Sequence, residues 1–239
     1  MEIIPLGDSA LILRVGDQLE DVAEETLNEI LEVRDRLEEA HIPGVIELAP
    51  AYITVAIFFD PLSVINDGAE PDRVIELLIQ KIRESLPPGE RKRRKKAATR
   101  TVEIPVCYDP EFALDLEHVA RHAHISPGEL VELHSTADYR VHCLGFTPGF
   151  PYLAGLPKKL ATPRRAIPRK EIPGGSVAIG GAQAGIYPVR SPGGWNVIGR
   201  TPLRLFDSEK EPPAVLRVGD RVRFRAITRD EFEALKQCN

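Results

Sequence analysis

Arg140-Val141-His142-Cys143-Leu144-Gly145-Phe146-Thr147-Pro148-Gly149-Phe150-Pro151-Tyr152-Leu153 opens a stretch, running on to Pro202, whose reading decides the fold. From Gly145 to Pro202 it carries eleven of the chain's 18 Gly and nine of its 21 Pro, a density that by composition alone means loop. Short apolar runs nevertheless recur between the breakers: Val177-Ala178-Ile179, Gly185-Ile186-Tyr187 and Trp195-Asn196-Val197-Ile198. Apolar triplets separated by Gly and Pro describe short strands joined by conformationally demanding turns, as in a barrel. Phe146, Phe150, Tyr152, Tyr187 and Trp195 would be wasted on a disordered segment, so the loops are expected to be ordered and packed against that barrel.

Upstream the periodicity changes. Glu2–Leu6 and Ala10–Val15 read as a hairpin around Gly7-Asp8-Ser9. From Asp17 to Ala40, Leu19, Val22, Ala23, Leu27, Ile30, Val33 and Leu37 fall at helical spacing, with Glu and Arg on the other face. Val45–Leu48 and Tyr52–Phe59 read as strands around Ala49-Pro50-Ala51, and Asp60-Pro61 closes the second. Pro71–Leu86 reads as a second helix with Pro in its first turn. Strand, strand, helix, strand, strand, helix implies a small α+β domain over residues 1–90, with helices on one face of a sheet. The six consecutive cations Arg91–Lys96 mark a basic linker, 91–97, before a mainly-β domain over 98–239; no aromatic residues interleave them, which favours a solvated linker over a nucleic-acid patch.

Within that second domain Thr101–Tyr108 alternates as a strand, and two short helices follow. One begins after Asp115; the other is capped by Ser126-Pro127-Gly128-Glu129. His118 and His122 are four apart and share a helix face, but no third ligand is placed near them, so a surface helix is expected and no metal site. Leu203–Asp207 reads as a strand, Leu216–Phe224 as two strand fragments joined by a turn at Gly219-Asp220, and Thr228 caps a terminal helix.

Composition narrows the function classes. At 239 residues with 43% hydrophobic content the chain can bury a proper core, and its net charge of -5 disfavours nonspecific binding to nucleic acid. Neither a secretory leader pattern nor an apolar run of membrane-spanning length is present, so the expected location is the cytoplasm. Cys107, Cys143 and Cys238 are odd in number and widely spaced, which argues for reduced thiols.

No phosphate-binding loop, dinucleotide fingerprint, zinc-protease motif or nucleophile elbow occurs. The chemistry-bearing residues left are His142, Ser176, Gln183, Tyr187, Arg190, Trp195 and Arg200. Together they offer an acid/base, neutral hydrogen-bonding groups and two permanent cations, a set suited to a small polar anion.

The motif series is specific. His142 to Leu153, Pro173-Gly174-Gly175-Ser176-Val177-Ala178-Ile179-Gly180-Gly181, Gln183, Gly185-Ile186-Tyr187-Pro188, Ser191-Pro192-Gly193-Gly194-Trp195 and Ile198-Gly199-Arg200-Thr201-Pro202 resemble the allophanate hydrolase subunit 1 family. That family includes the B component of 5-oxoprolinase and the Kip-type inhibitor of sensor histidine kinases. The resemblance implies an α+β N-terminal domain followed by a cyclophilin-like β-barrel. It implies a subunit of ATP-dependent 5-oxoprolinase that works with that enzyme's A component and with its C component, a member of the allophanate hydrolase subunit 2 family. ATP with Mg²⁺ would then bind at a site completed by a partner. On this resemblance His142, Gln183 and Arg200 are the expected catalytic residues, and Ser176, Tyr187, Arg190 and Trp195 the expected substrate-binding residues. Two alternatives accompany it: a kinase-inhibiting binding protein, and a carboxyltransferase-type domain of urea or amide metabolism. Ala184 stands where the family often has Thr, which removes a hydroxyl beside Gln183.

Overall fold

The computed structural model describes residues 1–16, 24–87 and 99–237. Leu19, Val22 and Ala23 of the first expected helix, the basic run Arg91–Lys96 and Cys238 lie outside the described residues. Contacts divide the chain into two compact units, residues 1–97 and 98–239.

In the first unit, strands β1 (Glu2–Pro5) and β2 (Ala10–Arg14) form the expected hairpin, followed by helix α1 (Glu24–Glu39), strands β3 (Val45–Ala51) and β4 (Thr54–Phe59), and helices α2 (Pro61–Asn66) and α3 (Val74–Ser85). The sheet is antiparallel in the order β1-β2-β4-β3. Leu11 and Leu13 of β2 and Val55, Ile57 and Phe59 of β4 point to one face, where they meet Ile30, Val33 and Leu37 of α1 and Leu78 and Ile82 of α3. Each such side chain contributes roughly 1.5–3 kcal/mol of burial, which is why period 2 on the strands and period 3.6 on the helices predict this layer correctly.

Local chemistry corrects three expectations here. Asp60 does not merely end a strand: its carboxylate accepts from the N–H groups of Leu62 and Ser63 and caps α2, with Pro61 in the first turn. Pro71 precedes α3 rather than starting it. Ala49-Pro50-Ala51 belongs to β3, and the hairpin turns at Tyr52-Ile53 with Tyr52 at φ 53°. Pro50 is tolerated because β3 is an edge strand, where a missing N–H donor is not missed.

The second unit runs β5 (Thr101–Cys107), α4 (Leu116–His122), α5 (Pro127–Thr136), β6 (Tyr139–Leu144), β7 (Pro151–Ala154), β8 (Arg169–Ile172), β9 (Ser176–Gly180), β10 (Gln183–Ile186), β11 (Ser191–Gly193), β12 (Asn196–Arg200), β13 (Arg221–Ile227) and α6 (Arg229–Gln237). Seven of these strands close a barrel in the order β10-β7-β6-β13-β5-β12-β9, while β8 and β11 pair as a separate ribbon. The barrel is filled by Ile104, Val106, Val141, Leu153, Val177, Ile179, Ala184, Ile186, Ile198, Val222 and Phe224. The apolar triplets among the glycines are therefore barrel strands, as their spacing predicts.

Helix α5 lies against β13, and the fully buried His134 stacks on Phe224 at 4.4 Å and shares a 2.7 Å hydrogen bond with the Tyr108 hydroxyl. Ser126 and Thr228 cap α5 and α6 through the N–H groups of Glu129 and Glu231, as expected. Leu203–Asp207 and Leu216–Val218 are not strands: Phe206 makes only an isolated bridge to Ala214. The expected turn at Gly219-Asp220 is present, closed by the Asp220 carboxylate, which accepts from the Arg217 N–H and pairs with Arg100.

Candidate functional site

Alternation along β9, β10 and β12 sends one set of side chains into the barrel and the other onto its outer surface. Val177, Ile179, Ala184, Ile186 and Ile198 point inward. Ala178, Trp195 and Val197 point outward and cluster with Phe150, Ile172 and Tyr187, and Tyr152 packs at their margin. The rings meet edge to face: Phe150 to Trp195 at 5.6 Å, Tyr152 to Trp195 at 5.8 Å and Phe150 to Tyr187 at 5.1 Å. The exposed Phe146 extends the cluster from the β6–β7 loop.

Two glycines make this platform possible. A Cβ on Gly180 would fall 2.4 Å from the Trp195 indole, and one on Gly185 would fall 2.9 Å from both Phe150 and Trp195. The rings lie directly on bare backbone, and only Gly permits that approach. In the β9–β10 register Gln183 pairs with Gly180 and Gly185 with Ala178, so alternation puts Gln183 on the same outer face, half-buried beside the platform.

A loop between β7 and β8 brings a cation to it. The Arg164 guanidinium carbon stands 5.5 Å over the Trp195 ring. The loop is held from several sides: Thr162 and Gly181 exchange backbone hydrogen bonds of 3.1 and 2.8 Å, the Arg165 N–H donates to Gly194 O at 2.7 Å, and Asn196 Nδ2 donates to Pro163 O at 2.9 Å. Beneath it the buried Asp115 carboxylate accepts from Arg165 at 2.8 Å, from Arg169 at 2.7 and 2.9 Å, and from the Val197 N–H at 2.8 Å. Burial would raise this carboxyl, but the hydrogen bonds from Arg169 and Val197 and the charges of Arg169 and Arg165 outweigh it and hold Asp115 below the ordinary carboxylate range. Asp115, expected only to start a helix, makes no capping bond to α4 and instead ties that helix to β12 and the loop. Nothing in the sequence pairs it with arginines 50 and 54 positions away, although Pro163-Arg164-Arg165-Ala166-Ile167-Pro168-Arg169-Lys170 is a second dense basic run that could have drawn notice.

The residues singled out from sequence fall into groups. Gln183, Tyr187 and Trp195 share the platform; burial raises the Tyr187 phenol above its ordinary value. Ser176, Arg190 and Arg200 gather around the Gly174-Gly175 turn. Arg200 Nε donates to Gly174 O at 2.9 Å, its guanidinium lies over Phe112 at 5.9 Å, and burial lowers its pKa. Ser176 is buried opposite Arg200 in the β9–β12 register, and the exposed Arg190 pairs with Glu171 at 3.2 Å. Five residues of strand, roughly 16 Å, separate Arg200 from Trp195, so the structure does not gather all of these side chains at one point. His142 is on a third element: it is the extra residue of a bulge in β6, between Val141 and Cys143, and next to the Cys143–Tyr152 pair. Burial, then the charge of Arg140, lowers its pKa to about 4, so it is a neutral imidazole at neutral pH and a hydrogen-bond partner rather than a cation. Among the described residues no three His, Cys, Asp or Glu side chains are grouped to hold a metal.

A closed seven-stranded barrel following an α+β unit is the cyclophilin-like architecture that the motif series implies. The chain belongs to the family described as carboxyltransferase domain, subdomain C and D, whose model matches residues 1–216. It is 40% identical to the B component of 5-oxoprolinase from Bacillus subtilis (strain 168) over 245 residues, 99% of this chain and 97% of that protein. The crystal structure of TTHA0988 has a TM-score of 0.73 at 38% identity over 91% of this chain, which spans only 40% of that longer chain. The K. lactis urea amidolyase, with a TM-score of 0.74 at 20% identity over 99% of this chain and 15% of its own, shows the shared fold alone.

Proposed function

We propose that this chain is the B component of a 5-oxoprolinase, acting in the cytoplasm with the A and C components to convert 5-oxo-L-proline and two waters to L-glutamate while ATP becomes ADP and phosphate. The observation that carries the reading is the Gly180/Gly185-floored aromatic platform with Gln183 and Arg164 at its edge, in a chain matching the B component of a 5-oxoprolinase along nearly its whole length.

The substrate is a flat five-membered lactam bearing a carboxylate. Phe150 and Trp195 are buried and support the half-buried Tyr152 and the exposed Phe146, whose apolar surface is the part open to such a ring. Gln183 carries both an amide donor and an acceptor, matching the lactam C=O and N–H. Arg164, exposed and without an ion pair among the described residues, is the cation available for the carboxylate. His142, kept neutral by burial, can accept or donate one hydrogen bond without adding charge. Amide resonance makes the lactam carbonyl a poor electrophile, and ATP with Mg²⁺ would supply the activation by phosphorylating the carbonyl oxygen. Ring binding and orientation are this chain's part; a partner completes the nucleotide site and another carries out the final hydrolysis, in keeping with the lack of a phosphate-binding loop in the sequence.

Mixing the purified chain with the A and C components should give ADP release that depends on 5-oxoproline and on all partners. Trp195→Ala should abolish it while leaving the complex assembled. Turnover that survives Trp195→Ala would take the ring off this platform, whereas a chain that binds a sensor kinase tightly and shows no lactam-dependent ATP turnover with those two partners would replace this reading with the inhibitor one.

A further inference from the structure

Between α4 and the loop 162–167 lies an open cleft of about 510 Å³ whose lining includes His118, His122, Arg164 and Arg165 and no carboxylate. His118 and His122 stand one helical turn apart, so both face the loop. Neither imidazole makes a hydrogen bond or ion pair among the described residues, nor does Arg164, whose one contact is with the face of Trp195. Arg165 uses Nη1 on Asp115, but its Nε is buried with no partner. The Arg165 Nε–H therefore lacks an acceptor, and the charged and titratable side chains that line the cleft are two imidazoles and two guanidiniums with no carboxylate among them. The walls are already fixed: Asp115, Asn196, Gly181 and Gly194 hold the loop in place, so a ligand would not have to order it.

We infer that this cleft binds a phosphate-sized oxyanion, cradled by His118 and His122 on one side and Arg164 and Arg165 on the other. Tetrahedral oxyanions bring several acceptors and a delocalised charge, which four donors on two walls can meet together. The cleft shares Arg164 with the aromatic platform, so an anion that engages this guanidinium changes the environment of Trp195, the chain's single Trp. Free phosphate and the phosphate of a nucleotide carry the same chemistry, and the test separates them.

The test is a titration of the full chain with inorganic phosphate to about 50 mM against sodium chloride at matched ionic strength, followed by ADP without metal. The expected result is a saturable change in Trp195 emission, with backbone amide shifts concentrated in Arg164–Ile167 and His118–His122. The His118→Ala/His122→Ala double variant, altered only on the helix surface, should weaken phosphate binding about tenfold, as should Arg164→Gln read by the amide shifts. ADP binding at least tenfold tighter than phosphate identifies a nucleotide as the source, and equal affinity identifies free phosphate. The inference is overturned if phosphate shifts no amide in these two segments, or if both variants bind it as the parent chain does. It shares Arg164 with the 5-oxoprolinase reading, so the double histidine variant, which touches only the cleft, tells the two apart: phosphate binding lost with lactam turnover kept separates the cleft from the platform, and turnover lost in Trp195→Ala with the histidine-dependent phosphate shifts kept leaves this inference standing.

Discussion

Replacing His134 with Phe should remove a large part of this protein's sensitivity to acid. The imidazole is fully buried, stacked on Phe224 at 4.4 Å, with Nδ1 on the Tyr108 hydroxyl and Nε2 without a partner, so a proton would place an unpaired charge in the barrel core. Burial lowers its pKa from 6.5 to about 3. The unfolded chain therefore takes up the proton first as pH falls. Stability is intact above about pH 6.5 and is lost progressively from there down to about pH 3. At pH 5 the unfolded imidazole is about 1.5 pH units below its midpoint and the folded one is still neutral, which costs about 2 kcal/mol. His142, lowered to about 4 by burial, adds a similar amount by the same route. In His134→Phe the stacking surface on Phe224 is kept and the Tyr108 hydroxyl loses its partner, so the variant should be about 1–2 kcal/mol less stable at pH 7.5. Its further loss between pH 7.5 and pH 5 should be about 2 kcal/mol smaller than that of the parent chain. Urea denaturation followed by emission of Trp195, which lies in the same unit as His134, measures both quantities. Equal losses between the two pH values in parent and variant would refute the account, because the acid sensitivity would then come from groups other than His134.

Gly180→Ala places a methyl group 2.4 Å from the Trp195 ring on rigid backbone, and should cost about 1–3 kcal/mol and shift Trp195 emission by displacing the indole; calorimetric and fluorescence melts that match the parent would show that the ring has room to move. Asp115→Ala removes the acceptor shared by Arg165, Arg169 and the Val197 N–H, and should lower stability by about 2–4 kcal/mol, discounted for the partly exposed arginines, while raising hydrogen exchange at Val197 and in the loop 162–167. Unchanged exchange at Val197 in that variant would mean that the carboxylate does not hold the strand.

The sequence by itself determined the elements whose signals are local. Leu27, Ile30, Val33 and Leu37 repeat at 3.6 residues, and α1 follows; Val55, Ile57 and Phe59 alternate, and β4 follows. Ser126 and Thr228 announce helix starts because a hydroxyl reaches only its own N3 amide. The glycine-rich stretch could be read as barrel strands because the triplets between its turns are too apolar for solvent, and its motif series was specific enough to indicate the family. What the sequence could not supply is which residues meet across long separations. Asp60 capping α2 and the turn at Tyr52-Ile53 were misread because Pro reads equally well as a stop, a first helical residue or an edge-strand residue, and only the hydrogen bonds of its neighbours decide. Gly180 and Gly185 become the floor of an aromatic platform only once β9, β10 and β12 are laid side by side. Closure of the barrel also sets Arg200 against Phe112 and away from Trp195, and brings Arg165 and Arg169 onto Asp115. Tertiary structure alone decided those pairings, because strand register and loop path fix them, and these are set by the summed packing of the whole barrel rather than by the residues that end up in contact.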